Sequence, residues 1–367
     1  MKFFIFELKK TVFSRRFSYT LLVLFIFILG LYLRNVAFQD LVVEEQERQV
    51  TLYTQEAQSH LRVLTKAPET EAITEQIKYL ANALNMLYEW KPLIKSEDWQ
   101  ARLQAENAFI SAIIPYKEVG GEFSLLTTDL NRTLVWNEHL LSQGIEPKSE
   151  NYSITLPNFM KQITDLYVNF GAIILLLLII GDMLTMEFEN GSIRLLYTQP
   201  LKKSSIIHVK WASAAVFYII ITACLYVFTW LLGYIGGKSG TFLYPVMVET
   251  KENISFITIA QYVQWSLLST TSIILFVISL CLLLSLIFKN SIITLLSTVL
   301  ILIGGYFGMQ ALPLIKNSWF DPFQSVLAGI SIQQVGSEWY YGIPIIILLA
   351  IILYWLSIVK INRTSGS

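Results

Sequence analysis

Residues 232–239, Leu-Gly-Tyr-Ile-Gly-Gly-Lys-Ser, come nearest to a nucleotide-handling motif. A phosphate-binding loop needs Gly, four residues, then Gly-Lys-Ser/Thr, because its backbone N–H groups cradle the phosphates while the Lys reaches them. Counting back from Gly237 puts Leu232 where the first Gly belongs, and Gly233 is off by one. The stretch also follows a long apolar run rather than a buried strand, so it is not read as a phosphate site. No other Gly-rich loop precedes a Lys. His60 and His139 lack cysteines or clustered acids at metal-ligand spacing and read as surface histidines. Cys224 and Cys281 each lie inside an apolar run, the setting of inert core thiols. No Ser/His/Asp, zinc or paired-acid constellation suggests enzyme chemistry, and no cofactor or metal is expected on this chain.

The charged residues that remain interesting sit at the edges of apolar runs. Asp182 lies about one turn inside the end of such a run, where an acid is functional by default unless a partner such as Lys210 or Lys203 neutralises it. Arg34 stands near the end of another run and can snorkel toward water. Glu187 and Glu189 precede Gly191-Ser192. Ser192 could cap a short helix, Ile193 to Thr198, whose amino end favours acids, and Pro200 would end it. Such a helix exposes Ile193, Leu195, Leu196 and Tyr197, which want lipid or a partner protein.

Long apolar elements must position these groups. The chain has 367 residues, of which 54% are hydrophobic and only 15% charged; a soluble domain carries about a quarter charged residues. The deficit means long stretches that face lipid. Crossing a bilayer core takes about 20 apolar residues, and six segments qualify: residues 17–38, 165–185, 211–235, 262–288, 291–314 and 340–359. The first lacks a small-residue cleavage site and reads as a retained anchor. Only Phe288-Lys289-Asn290 separates the fourth from the fifth, which forces a tight helical hairpin. Gly304-Gly305 and Gly308 in the fifth allow close helix packing.

Lys and Arg near the span ends set the orientation. Residues 1–16, the 186–210 segment, Lys289 and the 360–367 tail together hold 12 basic residues against three acidic ones. The 39–164 loop holds 11 basic and 18 acidic residues. Both termini are therefore expected in the cytoplasm and residues 39–164 outside. Net charge is zero, and no nucleic-acid partner is expected.

The 39–164 loop carries helical stripes. Val50, Tyr53, Ala57, Leu61 and Leu64 form one, and Ile73, Ile77, Leu80, Leu84 and Leu87 the next. Trp99, Leu103, Ile110 and Ile113 continue less regularly, followed by Leu126, Leu130, Leu134 and Leu141 with Gly144 as a stop. Breaks are expected at Pro68, Pro92 and Pro115. The result is a bundle of about four helices with an apolar core. Between the outer loop at 236–261 and the last span, residues 315–339 hold Trp319-Phe320-Asp321-Pro322-Phe323 and end at Trp339, with Tyr340-Tyr341 following. Aromatics at both ends fit an interfacial belt.

The segment Glu187-Phe-Glu189-Asn-Gly191-Ser192-Ile193-Arg194-Leu195-Leu196-Tyr-Thr-Gln-Pro200 resembles the Glu-x-x-x-Gly-Thr-(Ile/Leu)-x-x-Leu-Leu-x-x-Pro pattern of permeases of the type-2 ABC exporter family. Ser192 keeps the hydroxyl of the family's Thr, and the spacing to Pro200 is one residue longer than in many members. The amino terminus is similar too: Glu7, Lys9, Lys10, Arg15 and Arg16 sit among Phe3, Phe4, Phe6 and Phe13, like the family's interfacial helix ahead of span one. The likeness covers the six-span plan and this motif, not the 39–164 domain.

The resemblance implies an all-α integral membrane protein with six transmembrane helices and an amino-terminal interfacial helix, to which the stripes and charge of residues 39–164 add a helical extracellular domain between spans one and two. It implies a coupling helix at 187–200 that docks on an ABC ATP-binding subunit, present in two copies and carrying the ATP and Mg. It further implies a second permease copy, identical or related, and short re-entrant or interfacial helices at 315–339 that gate the outer exit. The location would be the bacterial cytoplasmic membrane, among lipid. An apolar path would suit a hydrophobic or amphipathic cargo such as a peptide, antibiotic or lipid-like molecule. Two other readings remain: an ion-extruding permease of the same family, which calls for paired acids within the spans, and a membrane sensor with an extracellular ligand-binding domain, which calls for a cytoplasmic effector larger than the 360–367 tail.

Overall fold

A computed structural model describes residues 2–198, 202–236, 240–250, 253–312 and 316–363. The chain divides into two compact units, residues 33–153 and the remainder.

The larger unit begins with α1 (Lys2–Val12) and, after a turn at Phe13-Ser14, α2 (Arg15–Ala37). Helix α2 runs on into the smaller unit, whose helices are α3 (Gln39–Leu64), α4 (Glu71–Leu93), α5 (Trp99–Glu118) and α6 (Thr127–Gln143). The chain then re-enters the larger unit through α7 (Leu156–Val168), α8 (Gly171–Ile180), α9 (Thr185–Glu189), α10 (Ile193–Thr198) and α11 (Lys203–Gly236). A β-hairpin follows, β1 (Pro245–Glu249) antiparallel to β2 (Ile254–Thr258), with Met247 opposite Phe256. Helices α12 (Ile259–Phe288), α13 (Ser291–Gln310), α14 (Ala328–Val335) and α15 (Ile343–Arg363) complete it.

Six helical stretches are long and apolar enough to cross a membrane: Arg15–Ala37, Gly171–Glu189, Lys203–Gly236, Ile259–Phe288, Ser291–Gln310 and Ile343–Arg363. The expected hairpin between the fourth and fifth is present. Lys289 takes a left-handed conformation (φ 54°) that stops α12, and Asn290 starts α13 by accepting the Ile293 N–H at 3.0 Å. Thr258 and Gln261 form a capping box at the other end of α12.

The second span departs from expectation. Its apolar run does not form one helix from residue 165: α7 already runs from Leu156, and the chain breaks at Asn169-Phe170, where Phe170 is left-handed (φ 74°). A bulky residue in that region must be held by its surroundings, and Asn169 does the holding. Its Oδ1 accepts the Gly329 N–H at 3.0 Å, and its backbone bridges Leu327 at the start of α14. The hairpin β1–β2 is the second departure, since the 236–261 loop gave no alternating pattern long enough to announce strands.

In residues 33–153 the four expected helices are present, and their stripes make one core around Val50, Leu80, Leu87, Phe109 and Ile113. Asp98 caps α5 through the Gln100 and Ala101 N–H groups, and Gly144 ends α6 at φ 64°. Two expected breaks are displaced. Pro92 sits one residue before the end of α4, and α5 continues past Pro115 to Glu118. Both prolines fall in the last turn, each removing one bond to the carbonyl four residues back, and the helix ends within a turn of it. Arg34, expected to snorkel, instead donates to the Asn151 carbonyl at 2.7 Å and lies over the Tyr152 ring.

Candidate functional site

The region around α9 and α10 gathers most of the residues singled out from the sequence. Helix α10 spans Ile193–Thr198, the bounds expected from the Ser192 and Thr198 positions. Gly191 enters it at φ 69° with open space around its Cα, so the backbone conformation rather than crowding requires glycine there. The Ser192 hydroxyl donates to the Glu187 carbonyl at 3.4 Å. Leu195 is 68% exposed and Ile193 is buried. Pro200 lies outside the described residues, as do Gly237, Lys238 and Ser239 of the rejected phosphate loop.

Lys210 is the centre of the site. It is fully buried in α11, and its Nζ donates to Glu7 Oε2 at 2.9 Å, to Glu187 Oε1 at 2.5 Å and to the Met183 carbonyl at 3.0 Å. Three donors meet three acceptors, which uses the whole capacity of an ammonium. Glu7 and Glu187 are almost as buried as the lysine. Buried charges of this kind persist only when paired and hydrogen-bonded. The cluster pins α1, α9 and α11 to one another. Lys10 adds a second cation 3.5 Å from Glu187.

The acids therefore do different work from that expected at the amino end of α10. Glu187 faces inward to Lys210. Glu189 Oε1 accepts the Ser291 N–H at 2.7 Å, placing its charge at the start of the 20-residue α13. A six-residue helix offers a weaker dipole than either partner. Asp182 likewise pairs with Arg16 of α2 rather than with Lys210 or Lys203. On α1, Glu7 is buried while Phe6 is 61% exposed, so the amino-terminal helix turns one acid inward and an aromatic outward. Lys9 and Lys10 close its last turn, where cations complement the helix dipole. Arg15 and Arg16 open α2. Burial, with the nearby Glu187 charge, raises the Tyr197 phenol above its ordinary pKa.

A second polar group surrounds the break after α7. Tyr262, fully buried, donates its hydroxyl to Asp165 Oδ1, and Lys161 approaches Asp165 Oδ2 at 3.3 Å. The Thr164 hydroxyl meets Tyr226 at 2.9 Å, and Tyr167 meets Thr222 at 2.6 Å. The Gly329 Cα lies so near that an added Cβ would come within 2.5 Å of the Tyr262 hydroxyl. Sequence reading missed this group. The one available signal was Asp165 at the head of an apolar run, with Lys161 four residues earlier. The 316–338 segment forms two short 3-10 turns, Gln324–Val326 and Gly336–Glu338, flanking α14, whose Ala328 and Ile332 are buried. Gly305 fits the close-packing expectation, facing the Phe323 ring, whereas Gly304 and Gly308 face open space.

The family model described as ABC-2 family transporter protein covers residues 1–358. No curated protein and no solved structure matches the chain.

Proposed function

Because the chain belongs to the ABC-2 transporter family, we propose that it is the membrane-spanning permease subunit of a bacterial ABC exporter that moves a hydrophobic or amphipathic cargo outward. The observation that carries this reading is the α9–α10 element. A short helix with Leu195 exposed follows a span and is anchored at its base to α1 and α11 through Lys210. An exposed apolar residue on a short helix wants a protein groove, and an anchored base passes a push on that helix to the spans. The sequence carries no Gly-x4-Gly-Lys-Ser/Thr loop. ATP and Mg therefore belong to a separate ATP-binding subunit, one copy for each of two paired permeases.

The bias of Lys and Arg favours placing both termini and α9–α10 in the cytoplasm, with residues 39–164 outside. The cargo class is supported by a cavity of about 280 Å³ whose lining includes Val23, Phe27, Ile163, Leu166 and Ile174 and no charged side chain. Such a wall takes apolar groups and rejects ions. An ion-extruding role is less well supported, since Asp182 is paired with Arg16.

Copurification tests the proposal. The chain expressed with the ATP-binding subunit of its own operon should retain that subunit through detergent purification. Leu195→Glu, on an exposed side chain, should abolish retention without altering thermal unfolding. Retention unchanged in Leu195→Glu, or cargo export that persists without any ATPase, would sink the reading.

A further inference from the structure

The Lys210 cluster ties α9 to α1 and α11. A second set of contacts ties the same five-residue helix to α13. Glu189 Oε1 accepts the Ser291 N–H at 2.7 Å, and the Thr185 hydroxyl meets the Ser291 hydroxyl at 2.7 Å. Lys289, in the turn ahead of α13, lies over the Phe188 ring at 5.8 Å. A Cβ added to Gly181, shortly before α9, would strike the Leu295 side chain of α13. Glu187 thus serves α11, while Thr185, Phe188 and Glu189 serve the start of α13.

Helix α13 is lightly held along its length. Only Thr294, Thr298 and Leu302 of its 20 residues are buried, and they form one stripe. Ile292, Leu296 and Phe307 face outward. Its neighbour α12 is buried along most of its length. A helix that touches a fixed neighbour through one narrow stripe can tilt or slide with few side chains changing partners. The far end of α13 bears on another element. A Cβ added to Gly305 would strike the Phe323 ring, so the helix backbone rests against that ring. Phe323 is fixed in turn. Its N–H donates to Asp321 Oδ1 at 3.0 Å, and its ring packs edge-on against Phe276 of α12, 6.1 Å between centroids. Asp321 is buried and also accepts the Asn317 N–H at 3.2 Å. From Ser291 to Gly305 is about 21 Å of helix.

We infer that α13 carries a push on α9–α10 to the 316–338 segment at the opposite end of the spans. Glu189 is the positioning residue at its start, and the Gly305–Phe323 contact is its far bearing. The inference rests on the permease reading and adds a route to it. Glu187 links the short helices to the packed interior, and Glu189 links them to a span that can move.

The test uses the full chain with its copurified ATP-binding subunit in nanodiscs. Amide hydrogen exchange over residues 316–338 is read without nucleotide and after trapping with ATP and vanadate. The unaltered complex should show a nucleotide-driven change in that segment. Glu189→Ala, on an exposed side chain, should keep the ATP-binding subunit and its hydrolysis yet lose the change. Glu189→Gln, whose amide oxygen still accepts the Ser291 N–H, should restore it. A merely structural role would not separate hydrolysis from the change. Gly305→Ala sets a methyl against the Phe323 ring and should show altered exchange without nucleotide, even in the chain alone. That arm stands if Glu189→Ala fails to assemble. A full nucleotide-driven change in Glu189→Ala would overturn the inference. So would a hydrolysing, unaltered complex with no change in 316–338, or ordinary exchange in Gly305→Ala. An ATP-binding subunit that never copurifies with the unaltered chain sinks the permease reading and, with it, the role of Glu189.

Discussion

The two units of this chain solve burial in opposite ways. Residues 33–153 keep apolar side chains inside, with Val50, Leu80, Leu87 and Ile113 fully buried. The other unit turns apolar side chains outward: Ile292 is 76% and Leu300 60% exposed on α13, and Ile351 is 59% exposed on α15. Inside it are Lys210, Glu7, Glu187 and a row of α12 hydroxyls, Ser266, Ser269, Thr270 and Ser272. Among lipid tails an exposed Ile costs nothing, so apolar burial cannot hold these helices together. Close packing and internal polar contacts must do it. In water the same Ile is a liability and the apolar core does the work. One chain thus shows both solvents' rules, and a mutation's effect should depend on which unit receives it.

The largest effect is expected at Lys210. Lys210→Met leaves buried Glu7 without a cation and Glu187 with Lys10 alone, and should cost about 3–5 kcal/mol. Chemical unfolding of the purified chain reads the loss, and Glu7→Gln with Glu187→Gln in the same background should recover most of it. No recovery would mean that the cluster is not the tie between α1, α9 and α11. In the other unit, Leu87→Ala empties a fully buried site and should cost about 2–5 kcal/mol, read as faster hydrogen exchange confined to residues 39–143. The matching change on the lipid-facing surface, Leu300→Ala, should stay within about 0.5 kcal/mol. If Leu300→Ala costs as much as Leu87→Ala, the contrast between the units collapses.

Gly191→Ala should cost about 1–2 kcal/mol, because a side chain at positive φ is strained even in open space, and Gly191→Asn should cost less. The smallest effect concerns Glu106, half-buried in the apolar bundle beside Asn137. Burial raises its carboxyl pKa, only partly offset by the Asn137 hydrogen bond and the Arg102 charge. The folded state then holds a proton that the unfolded chain releases first. The sign follows: this group favours the fold at acidic pH, and its contribution declines as pH rises through the usual carboxylate range toward the folded pKa. Glu106→Gln should slightly raise the unfolding temperature at neutral pH and flatten its pH slope. A fall in unfolding temperature would show that the charged form is the favoured one.

The same contrast explains what could be read in advance. Period and composition suffice where one solvent dictates the pattern. The stripes Val50–Tyr53–Ala57 and Leu80–Leu84–Leu87 announce buried helix faces, and six apolar runs announce six spans. The hairpin at Lys289-Asn290 follows from length alone. Partner choice was not legible. Asp182, Glu187 and Glu189 all sit within reach of several cations along the chain, and only the fold sends them to Arg16, to Lys210 and to the start of α13. The break at Asn169-Phe170 escaped for another reason. Its cause is Gly329 and Leu327, about 160 residues away, and no local pattern around Asn169 carries that information. Pro92 and Pro115 misled because proline reports that a helix must end soon, not that it ends there.

The Glu7–Lys210 contact joins residues 203 positions apart. A ribosome adding about 5–20 residues per second makes Glu7 first and Lys210 on the order of ten seconds or more later. Throughout that interval the amino-terminal helix has no latch, and Glu187 arrives shortly before its cation does. Two acids and Lys10 become a neutral knot only when Lys210 arrives with the third span. A chain whose third span inserted wrongly would leave Glu7 without its cation and Glu187 with Lys10 alone, so correct insertion of that span and closure of the knot are one event.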